Sequence, residues 1–412
     1  MKKHLFSLCK EIGKFIVYSI CYIVYPFSFL FARNKKKYAF GSFRGAFNDN
    51  AKYLFIYTNE NRKDIDAAWL SLNRQTVEHV RSMGMKAYCT YSPKGIWHAL
   101  TSRYWFYNAY TSDIMFCLSG GAECVNLWHG VGIKRIEYNI NSGPLALRYQ
   151  KKNWREVFFH PESFRKPDYV ASSSPFQNHF FSTSFRISEN RCIMCGYPRN
   201  SILTDNEEQR RHFIKHYEPA TTNSFIQNLG NYSRVLVYMP TWRDSQLSLF
   251  VESMDLSALN NVLKNHNELL ILKPHANVTA SLSETSFSNI CFFDGKSDIY
   301  PVLPYTHVLI TDYSSVIYDY LLMPGKDVIL YIYDYKEYVA MRDFFYPFDE
   351  NVVGKRVYTF NELLNCIDRH DYSLSDAERV ALVNKFWGDT AHGNPSQRLL
   401  SYLGANSASG GD

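Results

Sequence analysis

The sequence predicts an α/β protein made of two Rossmann-like domains with a cleft between them, preceded by a membrane-associating N-terminal helical segment. Its 412 residues exceed what one ordinary hydrophobic core accommodates. Short apolar runs alternate with helical or polar stretches, which is typical of parallel sheets whose strands are connected by helices. Two series of such runs flank the weakly patterned residues 200–233. We therefore expect one parallel sheet on each side of that stretch.

Residues 1–36 are predicted to associate with a membrane surface. Residues 1–37 contain eight Lys or Arg and one acidic residue, Glu11, whereas the formal net charge of the whole chain is +6. The rest of the chain is therefore slightly acidic, which argues against a nucleic-acid partner, because such proteins spread basic charge over a folded face.

An uncharged apolar run, interrupted by Pro26, occupies residues 15–32. It is barely long enough to cross a hydrocarbon core of about 30 Å, and crossing would place the basic N-terminus on the far side. No small-residue cleavage site follows, so a signal peptide is disfavoured. We expect a peripheral segment on the cytoplasmic face of the cell membrane. The alternative is a helix docked on the protein itself.

Metal-dependent, redox and nucleotide-hydrolysing functions find no support in the sequence. Nine Cys without a secreted-scaffold pattern indicate a reducing compartment. Cys192 and Cys195 form a CxxC pattern, but on a strand these positions face opposite sides of the sheet. Neither half contains a G-x-G-x-x-G fingerprint or a P-loop. We therefore expect no cofactor and no metal site.

The predicted strands divide between an N-terminal domain, residues 37–200, and a C-terminal domain, residues 201–390. Those of the first domain are residues 38–43, 67–72, 85–91, 113–118, 124–128, 169–173 and 192–196. Those of the second are residues 234–239, 268–272, 290–293, 308–310 and 328–333, followed by helices near 359–369 and 376–387. A C-terminal segment, residues 391–412, ends in a Ser-, Gly- and Ala-rich tail at 406–412 that we expect to be disordered.

Residues 307–320 are predicted to form a buried strand, a hydroxyl-rich turn and the start of a helix. Thr311, Ser314 and Ser315 offer hydroxyl donors, and the first N–H groups of the helix lack intrahelical partners. A phosphate group would fit such a turn. The alternative is that Asp312 or Ser314 only caps the helix.

His129 is a candidate general base. It follows the apolar run at residues 124–128 and precedes Gly130 and Gly132, which permit close approach of the backbone to a ligand. A neutral imidazole there could take a proton from a hydroxyl near physiological pH, with the nearby Lys134 adding positive charge. The alternative is a structural histidine whose hydrogen bonds are satisfied within the fold.

Two more clusters end predicted strands of the second domain. Lys273 and His275 lie on either side of Pro274 and could place positive charge against a diphosphate. Thr241, Arg243 and Asp244 follow Pro240 in the same way. Arg243 is either a bidentate phosphate ligand or one half of a surface pair with Asp244. Arg199 and Asn200 either close the junction of the two domains or cap a helix.

Five motifs, taken in order, resemble the CDP-glycerol:poly(glycerophosphate) glycerophosphotransferase family, whose members make teichoic acids and similar capsules. They are Trp128-His129-Gly130 and residues 196–200, 240–244, 311–315 and 393–398. Residues 43–53 are also similar, so the resemblance covers about residues 39–400. One departure is Val131-Gly132, where the family usually has Thr-Pro after the Trp-His-Gly triplet.

The resemblance implies a GT-B fold, in which the C-terminal domain binds a CDP-activated polyol and the N-terminal domain meets the acceptor. By motif, His129 would be the general base, with His275 as a second catalytic group. The groups expected to hold the donor diphosphate are His275, Arg243, Lys273, Thr311, Asp312, Ser314 and Ser315. Further substrate contacts are expected at Gly130, Lys134, Arg199, Thr241, Asp244, Ser396 and Arg398.

The predicted reaction is transfer of a polyol phosphate, with release of CMP. The donor would be CDP-glycerol or CDP-ribitol, and the acceptor a hydroxyl of a lipid-linked or polymeric glycan. Fixed cations and amides would stabilise the developing charge in place of a metal. Two alternatives are a GT-B glycosyltransferase that uses a nucleotide sugar and a non-catalytic glycan-binding relative.

Overall fold

The computed structural model describes residues 2–143, 145–150, 153–241, 254–273, 287–295, 297–341 and 344–409. The chain divides into two compact units. The first comprises residues 1–129, 135–199 and 394–412, and the second comprises residues 130–134 and 200–393. Each unit is built around its own parallel sheet.

The first unit contains a seven-stranded parallel sheet in the order β3-β2-β1-β4-β5-β6-β7. The strands are β1 Asn34–Phe40, β2 Asp66–Ser71, β3 Ala87–Cys89, β4 Ser102–Tyr107, β5 Glu123–Asn126, β6 Tyr169–Ser172 and β7 Cys192–Met194. Its helices up to residue 199 are α1 Lys2–Phe27, α2 Asp49–Asn61, α3 Arg74–Ser82, α4 Pro93–Thr101, α5 Ala146–Tyr149, α6 Trp154–Phe159 and α7 Pro175–Phe185. The central strands bury large aromatic side chains, as at Phe40, Trp69 and Trp105.

The second unit contains a six-stranded parallel sheet in the order β10-β9-β8-β11-β12-β13. The strands are β8 Arg234–Met239, β9 Glu268–Leu272, β10 Ile290–Phe292, β11 Val308–Thr311, β12 Asp327–Tyr331 and β13 Lys355–Val357. The helices are α8 Ser201–Thr204, α9 Glu207–Tyr217, α10 Ala220–Leu229, α11 Leu256–Asn265, α12 Val316–Tyr320, α13 Tyr335–Met341, α14 Phe360–Asp368 and α15 Asp376–Phe386. The prediction of an α/β protein with two parallel sheets is confirmed.

One predicted strand is wrong and two strands were missed. Residues 113–118 form parts of two short 3₁₀ turns, and β4 occupies the place between β1 and β5. Residues 113–118 and the strand β4 are both short and largely apolar, so the periodicity of the sequence does not distinguish the turn from the strand. β4 also begins directly where α4 ends, with no Gly or Pro between them. The other missed strand, β13, is a three-residue edge strand that begins with Lys355 and Arg356.

The last helix, α16 Pro395–Ser409, packs into the first unit. It contacts α2 and β7 and buries Leu399, Leu400 and Leu403. Residues 406–409, predicted to be disordered, continue this helix. The three leucines explain the difference, because they bury an apolar stripe that anchors the helix next to the polar tail.

Helix α1 lies along the first unit with one face and exposes the other. Phe15 and Tyr22 stack on Phe158, with ring centroids 5.0 and 5.4 Å apart, and Tyr25 stacks on Phe116 at 4.8 Å. The opposite face exposes Ile12, Ile16, Ile20 and Ile23. By length and composition, residues 11–30 could also span a membrane. One face of α1 is therefore docked on the protein, as the alternative interpretation of this segment predicted.

Candidate active-site residues

His129 lies just beyond the carboxyl end of β5, where ligands of open parallel sheets bind. Trp128 adopts a left-handed conformation with φ 51°, and Gly130 follows with φ 121°. The backbone N–H of Trp128 donates to Oδ1 of Asn126 over 2.8 Å, which stabilises this sharp turn. As a result the indole of Trp128 is buried, while the imidazole of His129 is exposed and stacks on it, with centroids 4.1 Å apart.

Three side chains of the first unit hold the backbone around His129. The guanidinium of Arg199 donates to the carbonyl oxygen of His129 over 2.9 Å and to Oδ1 of Asp49 over 2.6 Å. The amide of Asn50 donates to the carbonyl oxygen of Trp128 over 2.8 Å and accepts from the N–H of Arg199. The side chain of Arg199 is only 7% exposed. The structure thus brings together His129 and Arg199, as well as Asp49 and Asn50, which were not predicted as site residues.

Asp49 and Asn50 begin α2, and their position is set by a second layer of buried polar groups. The side chain of Asn108, which follows β4, accepts from the N–H of Ala51 and donates to Oγ of Ser42. Asp113 in turn accepts from the N–H of Asn108, and burial raises the pKa of this carboxyl to about 7. The signal in the sequence was the polar run at residues 48–50 ahead of an apolar helix, within the segment that resembles the family.

In the second unit, the turn after β11 is organised by two buried side chains. The hydroxyl of Thr311 donates to the carbonyl oxygen of Met239 over 2.7 Å. Oδ1 of Asp312 accepts from the N–H of Thr241 over 2.8 Å and from the N–H of Tyr313 over 2.6 Å. Through these contacts Thr311 and Asp312 connect the ends of β8 and β11. Their binding of a diphosphate stays a prediction.

Ser314 and Ser315 are half-buried at the outer side of this turn. Oγ of Ser314 lies 3.5 Å from the N–H of Val316, which is a long contact. The helix that follows, α12, has only five residues, so the predicted contribution of a helix dipole is small. The predicted phosphate contact at this turn therefore depends mainly on these two hydroxyl groups.

The ammonium of Lys273 is bonded to backbone carbonyls. Its ammonium donates to the carbonyl oxygens of Asp294, Gly295 and Ser297, at 3.0, 3.1 and 3.0 Å. Since an ammonium has three N–H groups, these three carbonyls occupy all of its donors. Burial lowers its pKa to about 8. Lys273 therefore stabilises the loop after β10, and the predicted direct contact with a diphosphate would require a carbonyl to be displaced.

The segment Gly130–Lys134 belongs to the second unit. Lys134 pairs in antiparallel fashion with Phe344, and Nζ of Lys134 lies 3.5 Å from Oγ1 of Thr241. The ammonium also lies 5.3 Å from the ring centroid of Tyr338, within cation–π range. The structure thus brings together Lys134, Thr241 and Asp312, three of the predicted residues.

The remaining predicted residues fall into two groups. Arg243, Asp244 and His275 lie outside the described residues. Ser396 and Arg398 lie on α16, where Ser396 is buried and the guanidinium of Arg398 donates to the carbonyl oxygen of Cys195 over 3.2 Å. Arg398 therefore joins α16 to the residue after β7. Within the described part of the chain, no group of three or more His, Cys, Asp or Glu is placed to hold a metal ion.

Comparison with known proteins gives consistent results. A family model described as CDP-Glycerol:Poly(glycerophosphate) glycerophosphotransferase matches residues 23–404. The chain is 24% identical over 378 residues to a teichoic acid poly(glycerol phosphate) polymerase of Bacillus spizizenii, covering 88% of this chain and 91% of the relative. It is 25% identical over 382 residues to a teichoic acid glycerol-phosphate transferase of Staphylococcus aureus, covering 90% and 93%. A structure of the wall teichoic acid polymerase TagF shares the fold, with a TM-score of 0.73 at 20% identity, covering 91% of this chain and 90% of that chain.

Proposed function

Because the chain belongs to the CDP-glycerol:poly(glycerophosphate) glycerophosphotransferase family, we propose that it transfers glycerol phosphate from CDP-glycerol to a hydroxyl of a membrane-associated glycan or polymer. The observation that carries this proposal is the exposed imidazole of His129 at the carboxyl end of β5, on a backbone held by the buried side chain of Arg199. An exposed ring on a fixed backbone is what a general base for an incoming hydroxyl requires.

In the proposed reaction, His129 takes the proton of the acceptor hydroxyl as its oxygen attacks the phosphorus that bears glycerol. A new phosphorus–oxygen bond forms, and the bond from that phosphorus to the oxygen bridging the diphosphate breaks. CMP leaves with the bonding electron pair. Such transfers depend mainly on positioning and on stabilisation of the charge that builds up on the phosphate oxygens.

The second unit supplies the groups proposed for the donor. We assign direct phosphate contacts to the hydroxyls of Ser314 and Ser315, together with Arg243 and His275 from the sequence motifs. Thr311, Asp312 and Lys273 then act indirectly, because their polar groups already bond to the backbone of the turn and of the loop after β10.

Glycerol is favoured over ribitol as the polyol. Two relatives that this chain matches over more than nine tenths of their length are both named for glycerol phosphate. We propose that the donor is CDP-glycerol for this reason. Incubating the purified protein with CDP-glycerol, CDP-ribitol and several UDP- and CMP-sugars, and measuring which nucleotide is released, tests the choice. Release from a nucleotide sugar alone would identify a glycosyltransferase.

The variant His129→Ala tests the mechanism. We expect CMP release to fall by about 10² to 10⁴-fold, because proton transfer by a positioned group typically contributes that much. Binding of CDP-glycerol should be unchanged. His179→Ala is the matched control, since His179 is also exposed on the first unit, on α7. Equal CMP release by the two variants would remove His129 from the mechanism.

We also propose that the exposed face of α1 binds the cytoplasmic face of the cell membrane, where the acceptor is located. Its isoleucines at positions 12, 16, 20 and 23 are each more than half exposed and all lie within the apolar stretch of residues 11–30. The other face packs on α6. A helix with one face on the protein and an apolar face exposed is suited to lie in the membrane interface.

A further inference from the structure

A cavity of about 640 Å³ lies in the second unit, at the amino end of its sheet. Ser233, His307 and Lys326 line it, and these residues immediately precede β8, β11 and β12. The turn at residues 311–315 follows the carboxyl end of β11. The cavity therefore lies at the opposite ends of the strands of the same sheet. Its volume is within the range of small-molecule sites, about 300–1,000 Å³.

Within the described residues, the ammonium of Lys326 bonds to two backbone carbonyls, which leaves one of its three N–H groups for another acceptor. Its ammonium donates to the carbonyl oxygens of Pro304 and Thr306. The ammonium of Lys273 is bonded to three carbonyls, whereas that of Lys326 is bonded to two within the described residues. Burial and the nearby Arg210 lower the pKa of Lys326 to about 8. An anion at the third N–H would compensate for the loss of hydration.

His307 offers a second donor to the cavity. The backbone N–H of Val235 donates to Nδ1 of His307 over 3.0 Å. Since Nδ1 accepts this hydrogen bond, the proton of the neutral ring is on Nε2, which is therefore a donor. Burial and the charge of Lys326 lower the pKa of this imidazole. The tautomer is thus set by the backbone of β8.

The remaining charges at the cavity favour an anion. Glu207 is the one carboxylate among the described residues that line the cavity, and it is paired with Arg210 at 2.8 Å and Arg211 at 2.7 Å. Arg211 also lines the cavity. The other walls are largely apolar or aromatic, from Ile214, Ile226, Leu229, Tyr232 and Tyr305. The cavity therefore combines cationic donors with a surface for an apolar or planar group.

We propose that this cavity binds a small phosphomonoester, with its phosphate at Lys326, His307 and Arg211 and its organic part against Tyr232 and Tyr305. A phosphate presents three oxygens, enough to accept from the three donors that line this cavity. The planar or apolar part would gain from burial against the aromatic walls. This inference concerns the second unit alone and does not depend on the transferase reaction.

Phenyl phosphate is a suitable probe because it has no nucleotide part for a CDP-donor site. Titration of the full-length protein, followed through the NMR signal of the His307 imidazole, should show saturable binding. His307→Asn identifies the signal, and the Asn side chain retains an acceptor for the N–H of Val235. Inorganic phosphate should bind at least about fivefold more weakly, which corresponds to about 1 kcal/mol of contact with the aromatic walls.

Two variants on α9 provide the matched comparison. Arg211→Ala removes a lining cation and should weaken phenyl phosphate binding by about fivefold or more. Lys215→Ala removes an exposed cation of the same helix that does not line the cavity, and should leave binding unchanged. The proposal would be overturned by a His307 signal that does not respond to phenyl phosphate. Equal affinity for inorganic phosphate, or equal affinities of the two variants, would overturn it as well.

Discussion

Arg199 offers the sharpest test of how the first unit positions His129. Its guanidinium spans the carbonyl oxygen of His129 and the carboxylate of Asp49, with side-chain exposures of 7% for Arg199 and 23% for Asp49. Arg199→Ala leaves a largely buried carboxylate without its cation, which costs about 3–5 kcal/mol of unfolding free energy. Arg199→Lys keeps the charge, but one ammonium cannot reproduce the two-pronged geometry of the guanidinium.

The Lys variant separates positioning from stability. We expect the free energy of unfolding to fall by about 1.5–3 kcal/mol, because one hydrogen bond to a charged group is lost. We expect kcat for CMP release to fall by about 10 to 100-fold, since a shift of the His129 backbone by about 1 Å misplaces the base. The KM for CDP-glycerol should change little, because the guanidinium contacts shown among the described residues are with Asp49 and the backbone of His129. Urea unfolding and steady-state CMP release measure the two effects.

Arg165→Lys is the matched control for this substitution. Arg165 also donates to a backbone carbonyl, that of Ala122 at 3.1 Å, and lies 3.4 Å from the carboxylate of Asp168. It belongs to the first unit, but within the described residues it has no hydrogen bond to the His129 turn, so its variant should lose stability with kcat retained. If both variants show the same kcat per folded molecule, Arg199 has a structural role only and the positioning argument fails.

Three further predictions follow from other parts of the structure. Ser314→Ala should lower kcat/KM for CDP-glycerol by about tenfold or more without loss of stability, whereas Thr311→Val should mainly lower the urea midpoint, because its hydroxyl bonds to the backbone; the reverse pattern would exchange their roles. Ile20→Asp should reduce co-flotation with anionic liposomes, whereas Val380→Asp, at an exposed position of α15, should not; equal flotation would place the membrane contact elsewhere. Burial lowers the pKa of His98 to about 4. His98 therefore takes up a proton near pH 6.5 in the unfolded chain but only near pH 4 in the folded protein. The free energy of unfolding should fall by about 3 kcal/mol as the pH drops from about 6.5 to 4. His98→Gln should flatten this part of the pH profile of unfolding, and an unchanged profile would show that His98 is not its cause.

The positions of the two sheets could be predicted because their strands are continuous apolar runs. A parallel strand covered on both faces is largely apolar, so residues 235–239 and 269–272 can be recognised as strands from the sequence. Polar residues directly after such runs indicate the edge where ligands bind, which is how His129, Thr311 and Ser314 were selected. β4 was missed because an aromatic strand that begins where a helix ends carries no local signal of its start.

The partners of each polar side chain were decided only by the tertiary structure. Arg199 lies 70 residues from His129 and 150 residues from Asp49 along the chain, and it meets both because strand ends of one sheet converge. The hydroxyl of Thr311 and the ammonium of Lys273 satisfy carbonyls of neighbouring segments, which no local pattern reveals. Residue types and their order determined which chemistry was available in this protein, whereas the folding of distant segments onto one edge determined which groups remain directed to a substrate. The physical reason is that a buried polar group must find its hydrogen-bond partner wherever the fold provides one.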